Sequence, residues 1–197
     1  IFSTGKIHSV MYSNPNNPTW VCLTDEELKI IGELANKYDV IILEDLAYFG
    51  MDFRKDYSHP GVAPFQPTVG KYTDNYILML STSKAFSYAG ERCAVLGISN
   101  KLAERRYPDL KEFCGQEIFA RGIIFGALHP LSSGTSHSAQ YAVAGVMKAV
   151  NDGTYNYRDD VLEYGKKAKL MKDAFTANGF KFTYDEDLGE PIADGFD

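Results

Sequence analysis

Seven residues have side chains suited to chemistry, and each lies at or beyond the end of an apolar run: Asn17, Asp45, Tyr48, Ser81, Ser83, Lys84 and Arg92. Lys84 comes just after the run 76–80, through Ser81-Thr82-Ser83. An amine placed there can form a Schiff base with an aldehyde if burial or its neighbours lower its pKa. Taken alone, it reads equally as a solvated surface lysine. Ser81 and Ser83 stand two apart, and on an extended segment they face the same side. With a nearby cation they can form an anion site, or they can cap the strand end. Arg92 follows Gly90, where the chain can turn tightly. Its guanidinium suits bidentate recognition of a phosphate, or a salt bridge with Glu91. Asp45 ends the run 40–43 in Glu44-Asp45. Its carboxylate can pair with a protonated pyridine nitrogen, cap a helix or join a core salt bridge. Tyr48 and Asn17 can both hydrogen-bond a phenolic oxygen; core packing and turn formation are the alternatives.

The elements that must position these residues alternate. Residues 7–12 read as a strand entering the loop 13–19. Thr24 with Glu27 forms the signature of a capping box, opening a helix that buries Leu28, Ile31, Leu34 and Ala35. The short runs 40–43 and 76–80 suit strands covered on both faces, as in a parallel sheet. Between them, residues 51–75 carry Pro60, Pro64 and Pro67 and read as a long loop, a kind of excursion that is often functional. A further strand is predicted over 94–98. Ser132 to Ser136 precedes an alanine-rich helix reaching about Val150. A long amphipathic helix over 155–178 is expected to bury Val161, Leu162, Ala168, Leu170, Met171, Ala174 and Phe175, with Asn178-Gly179 as its C-cap. A strand is predicted to begin at 180–184. The alternation implies an α/β, three-layer αβα architecture with a mainly parallel sheet. Ligands of such sheets bind beyond the carboxyl ends of the strands, where the seven residues lie. The domain reading is 1–152 for one α/β unit and 153–197 for a linking helix and the start of a smaller domain.

The 197 residues, 45% hydrophobic and 23% charged, are enough for one sizeable core. A formal charge of -6 gives no electrostatic reason to bind nucleic acid. No apolar run reaches the ~20 residues that span a bilayer. Cys22, Cys93 and Cys114, an odd set without CxxC spacing, argue against a disulfide framework and structural zinc and read as reduced thiols in a cytoplasmic protein. The four histidines show no metal-binding spacing. G-x-G-x-x-G and a Walker-type lysine loop are both missing, which argues against a nucleotide site.

Asn14-Pro15-Asn16-Asn17-Pro18-Thr19, then Glu44-Asp45-Leu46-Ala47-Tyr48, then Ser81-Thr82-Ser83-Lys84 with Gly90 and Arg92 beyond, resemble the consecutive signatures of class I/II aminotransferases. These are fold-type I pyridoxal-phosphate (PLP) enzymes similar to aspartate aminotransferase. The resemblance implies that Lys84 holds the cofactor as a Schiff base and moves the proton between the substrate's α-carbon and the cofactor's C4′ carbon. It implies Asp45 at the pyridine nitrogen, Asn17 and Tyr48 at the phenolic oxygen, and Ser81, Ser83 and Arg92 at the phosphate. Amino acid and 2-oxo acid substrates and a homodimer follow from the same resemblance, with the stretch 132–138 approaching a neighbouring subunit's cofactor.

Two residues depart from the family pattern: Trp20 and Ala94 stand where glycine is usual, changes expected to touch packing more than chemistry. Family members are also longer. The chain starts at Ile1 and stops at Asp197, and it reads as the second half of a large PLP-binding domain. Alone, such a piece is expected to bind PLP weakly, to be inactive, and to associate with the missing half or another copy through its unpaired sheet edge. A PLP-dependent lyase or decarboxylase of the same fold uses the same cofactor residues, and a PLP-binding effector domain of a regulator is a further alternative.

Overall fold

Helix formation after the first strand is set locally. The Thr24 hydroxyl accepts from the Glu27 backbone N–H at 3.2 Å, and the Glu27 carboxylate accepts from the Thr24 N–H at 2.7 Å. These reciprocal bonds satisfy backbone groups that a helix start otherwise leaves orphaned. The computed structural model describes residues 1–57, 60–187 and 189–192. In it, helix α1 runs Asp25–Tyr38 and connects strands β1 (Ser9–Ser13) and β2 (Ile41–Leu46). Leu28 and Ala35 on its inner face pack with Val40, Ile42 and Val69, all fully buried. Ile31 and Leu34 are only half-buried. Gly32 marks a close approach: a Cβ there would lie 2.5 Å from the Cβ of Tyr72.

Strand β3 (Tyr76–Ser81) lies beside β2, and β4 (Ala94–Ile98) beside β3, giving the order β1-β2-β3-β4. The β1–β2 and β2–β3 pairs are parallel, with Ser13 opposite Asp45 and Asp45 opposite Met79. The β3–β4 pair is antiparallel, with Ser81 opposite Ala94. The α/β architecture with a mainly parallel sheet is thus the one the alternation implied, and the register brings the ends of β1, β2 and β3 to one edge.

Beyond β3, a short helical turn α2 (Thr82–Ala85) replaces the extended segment expected through Ser83 and Lys84. The cause is the Ser81 hydroxyl, which accepts from the Ser83 N–H at 3.1 Å and caps that turn. Short helices α3 (Asn100–Ala103), α4 (Leu110–Cys114), α5 (Phe119–Ile123) and α6 (His129–Ser132) follow β4, a region for which no elements were predicted. The alanine-rich helix is α7 (His137–Asn151), and the long amphipathic one is α8 (Tyr157–Ala177). Only Arg158, Val161 and Ala168 are buried along α8; Leu170, Met171 and Phe175 are exposed, against expectation, because its second half runs past the packed region. The strand predicted from Phe180 does not form among the described residues; Phe180 packs on Phe175, and a two-residue pairing of β5 (Glu186–Asp187) with β6 (Glu190–Pro191) follows. No described helix is long and apolar enough to cross a membrane.

Candidate functional site

A buried polar network holds the sheet's carboxyl edge. Glu44, with no solvent exposure, accepts from the Asn14 side-chain amide at 3.2 Å and from the Val69 N–H at 2.8 Å. Burial pushes its carboxyl above the usual carboxylate range, and those two donors oppose the shift. Tyr12 lies beside it, its phenol pushed up by burial and then by the Glu44 charge. Asn14 accepts in turn from the Leu23 N–H at 3.0 Å, and its own N–H donates to the Asp45 carbonyl at 2.9 Å. The ends of β1 and β2 are thereby joined by side chains as well as by the ladder.

Past β1, the Ser13 hydroxyl accepts from the Asn16 amide at 2.9 Å and the Asn17 N–H at 3.3 Å. The loop so fixed turns the Asn17 amide onto the Tyr48 hydroxyl, to which it donates at 3.2 Å. The Tyr48 ring meets the edge of Trp20 at 5.0 Å between centroids, and the Lys84 ammonium stands 5.5 Å from the Tyr48 ring centroid. Trp20, Tyr48, Met51, Ser83, Lys84, Ser87 and Tyr164 line a hollow of about 480 Å³, within the range typical of small-molecule sites.

Trp20 is the residue whose role composition least suggested. Its φ of 53° is left-handed, a conformation that favours glycine and is uncommon for a bulky side chain. Its indole N–H donates to the Met51 carbonyl at 3.3 Å, and its ring is 6% exposed. Trp20 thus packs in a buried cluster with Cys22, Met51 and Val161 and also lines the hollow that Lys84 lines. Glu44 and Asn14 were likewise absent from the predicted set. The signal for Glu44 was available, since it stands two residues from both Ile42 and Leu46 and so shares their buried face of β2.

The predicted residues divide into two groups. Asn17, Tyr48, Ser83 and Lys84 meet at the hollow, Asn17 through its bond to Tyr48. Asp45, Ser81 and Arg92 lie outside its lining. Asp45 is half-buried at the end of β2, with its carboxylate accepting from the Ala47 N–H at 2.9 Å. Ser81 caps α2 through its hydroxyl. Arg92 is exposed, with a left-handed φ of 50°, and donates to the Ala89 carbonyl at 2.6 Å. The backbone nonetheless keeps Arg92 near Ser81 and Ser83, because buried Thr82 donates through its hydroxyl to the Cys93 carbonyl at 2.6 Å. No group of acidic, histidine or cysteine side chains suited to a metal occurs among the described residues.

Residues 3–187 match the family model described as aminotransferase class I and II. A probable aspartate aminotransferase of Methanocaldococcus jannaschii is 28% identical over 99 residues, which are 50% of this chain and 24% of that protein. A cystathionine beta-lyase of Corynebacterium glutamicum is 25% identical over 117 residues, 59% of this chain and 30% of that protein. Among solved structures, a double mutant of Thermus thermophilus aspartate aminotransferase superposes with a TM-score of 0.62 at 17% identity, covering 90% of this chain and 40% of that one. That likeness shows the shared fold. The chain spans less than half the length of these proteins. With 185 of its residues matched, the chain belongs to the class I and II aminotransferase family.

Proposed function

We propose that this chain is the lysine-bearing part of a pyridoxal-phosphate-dependent aminotransferase that moves an amino group between an amino acid and a 2-oxo acid. The observation that carries the reading is the Lys84 amine, 5.5 Å from the Tyr48 ring centroid in a hollow of small-molecule size, with Asn17 on the Tyr48 hydroxyl. The amine, phenol and amide match the aldehyde and phenolic-oxygen end of the cofactor. Bound PLP supplies the electron sink for the bond broken at the substrate's α-carbon, while the protein supplies orientation and electrostatics.

In this reading Lys84 would hold the cofactor through its aldehyde group and would move a proton to and from the substrate's α-carbon. Tyr48, oriented by Asn17, donates to the ring's phenolic oxygen. Asp45 keeps the pyridine nitrogen protonated by pairing with it. Ser83, Ser81 and Arg92 hold the phosphate, and Arg92 leaves the Ala89 carbonyl to do so. Trp20 and Tyr164 exclude water from the wall nearest the amine. Residues 1–152 form part of the PLP-binding domain and 153–197 lead into a second, smaller one. The full protein is a cytoplasmic homodimer, and this part alone does not turn over.

The test is chemical trapping. The protein is incubated with PLP, reduced with borohydride and mapped by peptide mass spectrometry. Saturable label on Lys84 supports the reading; label spread over surface lysines sinks it. A β-eliminating lyase uses the same cofactor residues, and the likeness to a cystathionine beta-lyase motivates that second reading. Product analysis of the full-length protein separates them: an amino acid with 2-oxoglutarate yields a 2-oxo acid and glutamate in one case, and cystathionine yields homocysteine, pyruvate and ammonia in the other.

A further inference from the structure

A second hollow, of about 300 Å³, opens between the segments 49–57 and 60–68 and the start of α8, and it shares no lining residue with the one at Lys84. Leu46, Phe49 and Leu80 give it apolar walls, and Tyr57, Gln66 and Arg158 give it polar ones. Arg158 is 1% exposed, and none of its three guanidinium nitrogens has a hydrogen-bond partner among the described residues. A guanidinium does not shed its proton in proteins, so its burial cannot be relieved by neutralisation. Its place in the first turn of α8 adds to the cost, because the helix dipole is positive there.

The nearby carboxylates do not answer that charge. Asp52 and Asp56 act on Arg158 through space. Asp52, however, is held by Arg54 through bonds of 2.9 and 2.8 Å, and Asp56 is exposed. Gln66 accepts from the Gly50 N–H at 2.8 Å, which leaves its amide nitrogen as a further donor. The site is therefore a buried fork of donors, with one more amide donor at hand, set among apolar walls. We propose that this hollow binds a small organic monocarboxylate with an apolar body, its carboxylate received bidentately by Arg158. The inference is independent of the activity proposed for the Lys84 hollow.

Benzoate is the probe, titrated into the protein while the Arg158 Nε–Hε resonance and the melting temperature are followed. The expected result is a saturable shift of that one resonance and a rise in melting temperature. Arg158→Met should lose the rise, and Arg158→Lys should weaken binding at least tenfold by keeping charge without the fork. Inorganic phosphate at equal concentration should stabilise far less. An unchanged benzoate response in both variants overturns the proposal, as does phosphate binding as tightly as benzoate. A carboxylate supplied by a second copy of the chain would reveal itself as an Arg158 resonance that moves with protein concentration before any benzoate is added, and that result also overturns it. Should Arg158→Met fail to fold, the lysine variant and the resonance shift still decide the matter.

Discussion

Lys84 and Arg158 are cations near the same end of the sheet, and their surroundings are opposite. Lys84 is exposed, leans on an aromatic ring and sits on a turn that Ser81 caps. Arg158 is buried without a hydrogen-bonding partner among the described residues, in the wall of a hollow. An amine that is to react with an aldehyde must be reachable, and the open position of Lys84 meets that need. A guanidinium does not lose its proton, so one that is buried calls for an acceptor to meet its charge. Accessibility thus marks the candidate reactive cation and inaccessibility the candidate binding one.

The largest expected effect tests the first half of that contrast. Lys84→Ala should abolish the borohydride-fixed PLP label, leaving less than about 1% of the wild-type yield at limiting cofactor, while the far-UV spectrum is unchanged. Equal labelling of the variant would remove Lys84 from its role. Arg158→Met addresses the second half. In ligand-free buffer, replacing an unpaired buried charge with an apolar side chain should leave the protein as stable or stabilise it by about 1–4 kcal/mol. Urea unfolding measures this. A loss of more than about 2 kcal/mol would mean that the guanidinium already has a partner, since breaking a buried pair costs that much or more.

Glu44 sharpens the comparison because it is a buried charge that is partnered. Glu44→Gln puts an amide donor against one of the two donors it now receives, at a cost of about 1–3 kcal/mol. The pH dependence has a definite sign. A carboxyl whose pKa is raised on folding binds its proton more tightly in the folded chain, so its stabilising contribution is greatest at acid pH. That contribution is lost as pH rises from the ordinary carboxylate range through the raised value. The destabilisation caused by Glu44→Gln should therefore be larger in acid than at neutral pH, as read from urea midpoints of both proteins. A gap that widens on going to neutral pH would contradict the burial effect.

Much of this edge was legible in the residues themselves, and what was not has physical causes. The capping box of Thr24 and Glu27 and the apolar runs of β2 and β3 are local signals, and the elements formed where they pointed. The turn at Ser83 and Lys84 was misread because a serine side chain can divert the backbone from strand to helix, and spacing alone does not show which wins. Leu170, Met171 and Phe175 have helical spacing yet are exposed, because periodicity names a face but not the element that covers it. Arg158 has the opposite problem: a charged residue in a first helical turn reads as solvated, and only the packing of the segments 49–57 and 60–68 shows it buried. Of the seven predicted site residues, the four that meet at the hollow come from three separate segments, and the Asn17–Tyr48 bond spans 31 positions that no local pattern reports.

The smallest effect concerns how far the edge depends on the helix beneath it. Thr24→Ala removes the hydroxyl that accepts from the Glu27 N–H and donates to the Glu27 carboxylate at 2.9 Å, while the Thr24 backbone N–H keeps its bond to that carboxylate. The expected loss is about 1 kcal/mol of stability, the usual value for a capping threonine. α1 packs its buried face on Val40 and on Ile42, the latter in the strand that carries Glu44 and Asp45, which gives fraying of its first turn a route to the site. The polar bonds argue otherwise. Asn14 is tied to Glu44, Leu23 and the Asp45 backbone by bonds that do not involve the Thr24 side chain. The yield of label on Lys84 should therefore match wild type at temperatures below unfolding, while the urea midpoint falls. A parallel drop in both would show that the first turn of α1, rather than the Asn14–Glu44 network, holds the carboxyl edge in place.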